Sequence, residues 1–244
     1  MRTLVFGDVH HKVDRVDHLL KTVPHDEAIC LGDWMDDFND GSAAATKTAS
    51  YMKWFLAQPN HVSLMGNHDL PYFWPTVKAF RYWGWSRRKM DVFTDILKPV
   101  SNYRRHTKYY VVSQGILLSH AGLNAKLLPA MGVSTPEEIL YWLWQTVDTA
   151  IVMLYATNGM YDATASVAQI LDAGEDRGGI NKHGGILWSD FSSLTPIEGL
   201  PQLVGHTQGK DVRTNGNIIC IDTNLRHYAI IEDGVLTTHE ADYE

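Results

Sequence analysis

Apolar runs and polar tips alternate along the first third of the chain. Leu4–Phe6 is a short apolar run that stops at Gly7-Asp8-Val9-His10. Val13, Val16, Leu19 and Leu20 then recur at helical spacing. A second run, Ala28–Leu31, ends at Gly32-Asp33. The stretch from Ser42 to Gln58 predicts another helix, rich in Ala and carrying Tyr51, Trp54 and Phe55 on one side. A third run, Val62–Met65, ends at Gly66-Asn67-His68-Asp69. Three strands separated by helices predict a βαβαβ unit with parallel strands in one sheet. The polar residues fall just past the carboxyl ends of those strands, where open α/β sheets place their ligands.

Beyond residue 108 the pattern changes. Tyr109–Val112 and Ile116–Leu118 are strand-like, and the second run ends at Ser119-His120-Ala121-Gly122. Thr135-Pro136-Glu137-Glu138 predicts a helix start, with Thr as N-cap, Pro first and Glu third. Ile139, Leu140, Leu143, Trp144, Val147 and Ile151 give that helix a broad apolar face, expected to be buried. Asn158-Gly159 ends it, and Val167, Ile170 and Leu171 suggest a second helix. Asp176–Gly179 and His183–Gly185 are loops. The tail is β-like at Leu203–His206, Ile218–Ile221, Tyr228–Ile231 and Val235–Thr237. With no repeat, low-complexity tract or linker, residues 1–244 are expected to form one domain. It would carry an insertion at about 72–108 and a helical segment at about 135–172.

Composition narrows the function. Apolar residues make up 45% and charged residues 20%, enough for a core and unlike a disordered chain. The net charge of −7 makes a poor general binder of polyanions and excludes a histone-like or arm-type nucleic-acid binder. The charge is uneven, however. Nine basic residues against two acids give +7 between Lys78 and Lys108, in and beside a cluster that includes Trp74, Trp83 and Trp85. Cys30 and Cys220 each sit in an apolar run, so a disulfide framework is not expected and a reducing cytoplasm is. No apolar run approaches the ~18 residues that span a bilayer, and the N-terminus lacks a signal-peptide shape. Twelve histidines in such a chain call for a metal or acid–base explanation.

Five strand-end segments carry potential metal ligands: Asp8-Val9-His10, Gly32-Asp33, Gly66-Asn67-His68-Asp69, Ser119-His120 and Gly205-His206. Carboxylate, imidazole and amide oxygen donors suit divalent Mn, Fe, Zn and related ions. In a two-metal site the ions lie ~3.5–4 Å apart, bridged by a carboxylate. Residues two apart on an extended end share a face, so Asp8 and His10 point the same way. The glycines before Asp33, Asn67 and His206 allow sharp turns and a close backbone approach. A single Gly-Asp or Gly-Asn pair is an ordinary turn, but five such tips in sequence are not an accident of turn chemistry.

The order Asp-x-His, Gly-Asp-x-x-Asp, Gly-Asn-His-Asp, His and Gly-His-Thr resembles the calcineurin-like metallophosphoesterases, nearest the phosphoprotein phosphatase and dinucleoside-tetraphosphatase branch. Ser119–Leu123 and Leu187-Trp188-Ser189-Asp190 are similar to two further segments of that branch. The resemblance implies an α/β fold, the four-layer α/β/β/α metallophosphoesterase sandwich, here with a helical and basic-aromatic insertion. It implies two divalent metal ions, Mn first, with Fe, Zn, Ni, Co or Mg as alternatives. Asp8, His10 and Asp33 would hold one, and Asp33, Asn67, His120 and His206 the other. A metal-bridging hydroxide would attack phosphorus directly. His68 would protonate the leaving oxygen and Asp36 would hold His68. Implied substrates are phosphomonoesters, including a phosphorylated small molecule or phosphoprotein, and nucleotide phosphoanhydrides.

Three departures matter. Asp37 stands where the protein-phosphatase branch has a phosphate-clamping Arg. His11 replaces a glycine, and the Gly-His-Thr block lacks a second histidine. A replacement cation is therefore expected from Arg177 or from the insertion, with Arg87, Arg88, Arg104 and Arg105 as candidates and Trp83 or Trp85 packing on a base. Two alternatives stay open: a phosphodiesterase or nuclease on short or single-stranded nucleic acid, with nucleic acid as substrate only, and a non-catalytic binding module. No membrane partner is expected.

Overall fold

The computed structural model describes residues 1–38, 40–129, 132–157 and 168–243. The elements in chain order are β1 (Arg2–Phe6), α1 (Val13–Thr22), β2 (Glu27–Cys30), α2 (Ser42–Leu56), β3 (His61–Leu64), α3 (Leu70–Phe73), α4 (Arg87–Ile96), α5 (Val100–His106) and β4 (Thr107–Lys108). There follow β5 (Tyr110–Ser113), β6 (Ile116–Ser119), α6 (Pro136–Ala156), β7 (Gln202–Val204), β8 (Arg213–Asn215), β9 (Ile218–Cys220), β10 (His227–Glu232) and β11 (Val235–Glu240). They build two sheets, of order β11-β10-β1-β2-β3-β4 and β5-β6-β7-β9-β8. This is the mixed α/β, two-sheet architecture of the expected sandwich.

Side-chain alternation decides what each face packs against. Val5, Ile29 and Leu64 of the first sheet meet Ile116, Leu118 and Leu203 of the second in one buried cluster. From the same strands Leu4, Phe6, Ala28 and Cys30 point the other way, into a core with Val16 and Leu19 of α1 and Met52 and Phe55 of α2. The segment expected as an insertion, about 72–108, packs on the core: α4 packs on α2, and β4 extends the first sheet by pairing Ser63 with Thr107.

The β1–β2–β3 strands are parallel, as the alternating pattern predicts. So are β6, β7 and β9 of the second sheet. All six therefore end on one rim, and Asp8, Asp33, Asn67, His120, His206 and Asp222 follow those ends. The capping box at Thr135 is present: Glu138 N–H donates to Thr135 Oγ1 at 3.3 Å, and Thr135 N–H donates to Glu138 Oε2 at 3.1 Å.

Several local expectations change. Trp144 is 53% exposed, because α6 buries the stripe Ile139, Leu143, Val147, Ala150 and Leu154 instead. Likewise α2 buries Met52 and Phe55 but leaves Trp54 45% exposed. A one-residue offset on a helix turns a side chain by ~100°, which the apolar pattern alone does not resolve. Ile170 and Leu171 lie in a 3-10 helix, Ala168–Leu171. Asn158, Gly159 and Val167 fall outside the described residues. Cys30 and Cys220 are both free and buried.

Candidate active site

The rim loops are strained where they turn toward one another. His10, His11, Asp33, Asp36 and His206 all have left-handed backbone, with φ between 41° and 66°. Non-glycine residues adopt this conformation at a cost, and it persists where the surroundings enforce it. His11 shows how: its Nδ1 is 2.8 Å from Thr48 Oγ1 and its Nε2 is 2.7 Å from Asp40 Oδ2. Those bonds hold an imidazole where a glycine would adopt the same φ freely.

Two groups of donors result. Asp8, His10 and Asp33 form one, and Asp33, His120 and His206 the other; within each group the donor atoms lie within 4.8 Å of one another. Asp33 belongs to both. Asn67 joins the second group, its Oδ1 being 2.8 Å from both His120 Nε2 and His206 Nδ1. Each group is braced from behind. His10 Nδ1 donates to the Asp36 carbonyl at 2.6 Å, which turns Nε2 toward Asp8 and Asp33. His120 Nδ1 donates to the Leu31 carbonyl at 2.9 Å, which turns its Nε2 inward. The Asp8 carboxylate accepts the His206 N–H at 3.0 Å, and Asp33 Oδ1 accepts the His68 N–H at 2.8 Å.

The electrostatics ask for cations. Burial, and then neighbouring Asp222, push the Asp8 carboxyl well above its ordinary range. Burial works against ionised Asp33 too, but His120 and His68 outweigh it and hold Asp33 far below that range. Burial disfavours a charged His120, yet Asp33 and Asp8 prevail and raise it to about 10. Burial and then His120 push His206 well below the ordinary histidine range, and its Nε2 is buried with no hydrogen-bond partner among the described residues. Carboxylates, ring nitrogens and an amide oxygen thus converge with no Lys or Arg salt bridge to Asp8 or Asp33 among the described residues. That donor set fits divalent ions.

His68 lies beside these groups, its Nδ1 3.3 Å from Asp36 Oδ2. Burial disfavours its charge, but Asp33 and then Asp36 outweigh this and raise its pKa. His10, Asp33, Asp36, Asn67, His68 and His206 border a cavity of about 550 Å³. Arg177 is on its wall, with Nη2 2.5 Å from Asp190 and 3.1 Å from Thr207 Oγ1. The rim is aromatic: Phe38 and Trp83 stack at 4.8 Å, and Tyr82 lies 4.1 Å from Trp188.

A comparison with protein families decides the class. The calcineurin-like phosphoesterase family matches residues 1–191. The chain belongs to the calcineurin-like phosphoesterases. It is accordingly a metal-dependent phosphoesterase hydrolase. No curated protein matches the chain. Among solved structures, it is similar to a candidate diadenosine tetraphosphatase at 13% identity, TM-score 0.51, over 100% of this chain and 95% of that one. It is similar also to a protein serine/threonine phosphatase from Saccharomyces cerevisiae at 13% identity, TM-score 0.51, over 100% of this chain and 81% of that one. A hypothetical protein from Pyrococcus horikoshii OT3 matches at 10% identity and TM-score 0.50, over 100% of this chain and 88% of that one. These likenesses show the fold.

Within this calcineurin-like phosphoesterase, the structure brings Asp8, His10, Asp33, Asn67, His120 and His206 together, with His68, Asp36 and Arg177 at the same cavity. It does not bring Arg87, Arg88, Arg104 or Arg105 there. Arg87 pairs with Asp91 on an exposed face of α4 at 2.9 Å. Arg104 lies over the Trp74 ring at 3.8 Å and donates to the Phe73 carbonyl. Arg88 and Arg105 are exposed away from the cavity. Of the two tryptophans, Trp83 is on the rim, whereas Trp85 stacks under Arg81 at 4.4 Å. Helices α4 and α5, which carry Arg87, Arg88, Arg104 and Arg105, close on α2 and the sheet edge, and so carry most of the segment's charge away from the rim.

Sequence reasoning missed Lys12, Phe38, Gln208, Asp222 and Asn224, which line the cavity. Asp222 follows the apolar strand β9, so the strand-end pattern that picked out Asp33 could have found it. Lys12 pairs with Asp37 at 2.7 Å, which balances the carboxylate standing where an arginine was expected.

Proposed function

We propose that the chain hydrolyses phosphomonoesters or nucleotide phosphoanhydrides with two divalent ions, Mn first, by direct in-line attack of water and without a phospho-enzyme. The observation that carries this reading is Asp33, the carboxylate common to both donor groups. Asp8, His10 and Asp33 would hold one ion, and Asp33, Asn67, His120 and His206 the other. When bound, such ions offset charge on the phosphoryl oxygens and lower the pKa of a bound water from 15.7 toward ~7.

The chain's own residues do the rest. His68 Nδ1 donates to Asp36, which leaves Nε2 for the leaving oxygen, and its raised pKa keeps a proton available there. Arg177, steadied by Asp190 and Thr207, offers a guanidinium to the substrate phosphate. Phe38, Tyr82, Trp83 and Trp188 offer flat apolar surface at the cavity. That surface favours a substrate with a planar ring, hence a nucleotide over a phosphoprotein. A nuclease would track a longer polyanion with basic side chains, and Arg87, Arg88, Arg104 and Arg105, expected as phosphate-binding cations, lie off the cavity. A reducing cytoplasm is the proposed location. Among the described residues no helix is long and apolar enough to cross a membrane.

The test is metal-stripped protein assayed with and without Mn against nitrophenyl phosphate, bis-nitrophenyl phosphate and a dinucleoside polyphosphate. Mn-dependent cleavage of the monoester and the anhydride is expected. Full turnover without metal, or cleavage of the diester alone, would overturn it.

A further inference from the structure

The basic insertion touches the site at a point that its net charge does not reveal. Of the nine basic residues between Lys78 and Lys108, Lys89 alone is buried, at 3% exposure. A lysine is almost never fully buried unless paired. Here Nζ donates to Asp36 Oδ1 at 2.6 Å and to both oxygens of Asp40 at 2.8 Å. Asp36 Oδ1 also accepts the Tyr72 hydroxyl at 2.5 Å, while Asp36 Oδ2 faces His68 Nδ1 at 3.3 Å. One oxygen is therefore pinned by two donors, and the other is presented to the imidazole.

The approach of the insertion to Asp36 is close along the backbone as well. A Cβ at Gly84, which has φ of 94°, would come within 3.1 Å of the Asp36 Cβ. Asp36 itself has φ of 66°, so its loop is held in place rather than relaxed. On the other side, Asp40 connects Lys89 to His11 and so to the strained turn after His10. Without the ammonium, two carboxylates would face one another in a buried space, and Asp36 would turn away from the repulsion.

We propose that Lys89 is a positioning residue for leaving-group protonation: by clamping Asp36 it fixes the orientation of the His68 ring. The helix α4 is then part of the active site through one buried cation and not through a charged lid. This rests on the reading of His68 as the proton donor, and the experiment separates the two. Lys89→Met, Lys89→Arg and His68→Asn are loaded with Mn, checked for metal content and thermal midpoint, and assayed on phenyl phosphate and 4-nitrophenyl phosphate.

Lys89→Met should keep its metals and lose roughly 10–100-fold in kcat on phenyl phosphate, whose leaving oxygen needs a proton, and far less on 4-nitrophenyl phosphate. Lys89→Arg should recover most of that loss, because it restores a donor-bearing cation. Should Lys89→Met not fold, Lys89→Met/Asp40→Asn removes the carboxylate left without its partner, and the same ratio is read from it. An equal loss on both substrates, or a loss that follows metal content, overturns the proposal. A leaving-group effect in His68→Asn but not in the Lys89 variants overturns the role of Lys89 alone. Its absence in His68→Asn overturns both.

Discussion

Gly66 is the position where the smallest change should do the most damage. A Cβ there would lie 2.1 Å from Asp33 Oδ1 and 2.3 Å from Asp33 N. Ordinary contact begins near 3.4 Å, so Gly66→Ala requires a shift of more than 1 Å. The backbone atom cannot swing aside, which puts the displacement on the loop carrying Asp33. Overpacking of this kind costs ~1–3 kcal/mol. At roughly 2–4 °C per kcal/mol for a chain of this size, the thermal midpoint should fall by about 2–12 °C. The functional loss should be larger, because Asp33 is common to both donor groups. A misplacement of ~1 Å can cost on the order of 10²-fold in rate. The assay is a melt, a Mn titration by calorimetry and kcat on nitrophenyl phosphate. Gly41→Ala is the matched control, since a Cβ there meets nothing within 4 Å among the described residues. Wild-type Mn affinity and turnover in Gly66→Ala would refute the claim that close packing of this glycine sets the carboxylate.

Asp33→Asn should lose Mn from both sites together, read as metal per chain; retention of two tightly bound ions would remove its bridging role. Arg177→Gln should raise KM for a polyphosphate, whereas Arg87→Gln/Arg88→Gln should leave it unchanged, and the reverse result would return the charged segment to substrate binding. Asp172 tests stability against pH: burial raises its carboxyl to about 7, and its Oδ2 has no hydrogen-bond partner among the described residues. Below its unfolded value near 4 the group is protonated in both states and costs nothing. As pH rises from 4 to 7 only the unfolded state ionises, so stability falls, and above 7 the penalty is constant. Asp172→Asn should therefore stabilise the protein at pH 8, on the order of a few kcal/mol, and change little at pH 4; equal shifts at both would show that the carboxyl is solvated.

Short-range chemistry was legible along the chain. Leu4–Phe6, Ala28–Leu31 and Val62–Met65 are short, mostly apolar runs stopped by Gly and separated by helical patterns, which is how parallel strands buried on both faces read in a sequence. The polar tips could be placed for the same reason: parallel strands end on one rim, so Asp8, Asp33 and Asn67 had to be neighbours. The Thr135 capping box is likewise satisfied within four residues. Tertiary structure decided everything that depends on which face turns inward. Trp144 and Trp54 belong to apolar patterns yet face out, since the stripe a helix buries is chosen by its partner. Arg87, Arg88 and Lys89 read alike in sequence, and the packing of α4 on α2 sorted them, sending Arg87 to solvent and Lys89 to Asp36. Lys12 and Asp37 lie 25 positions apart and pair only because two strained loops meet over the rim. Periodicity and turn chemistry act over a few residues. The direction of a side chain is fixed by contacts whose sequence separation no local pattern encodes.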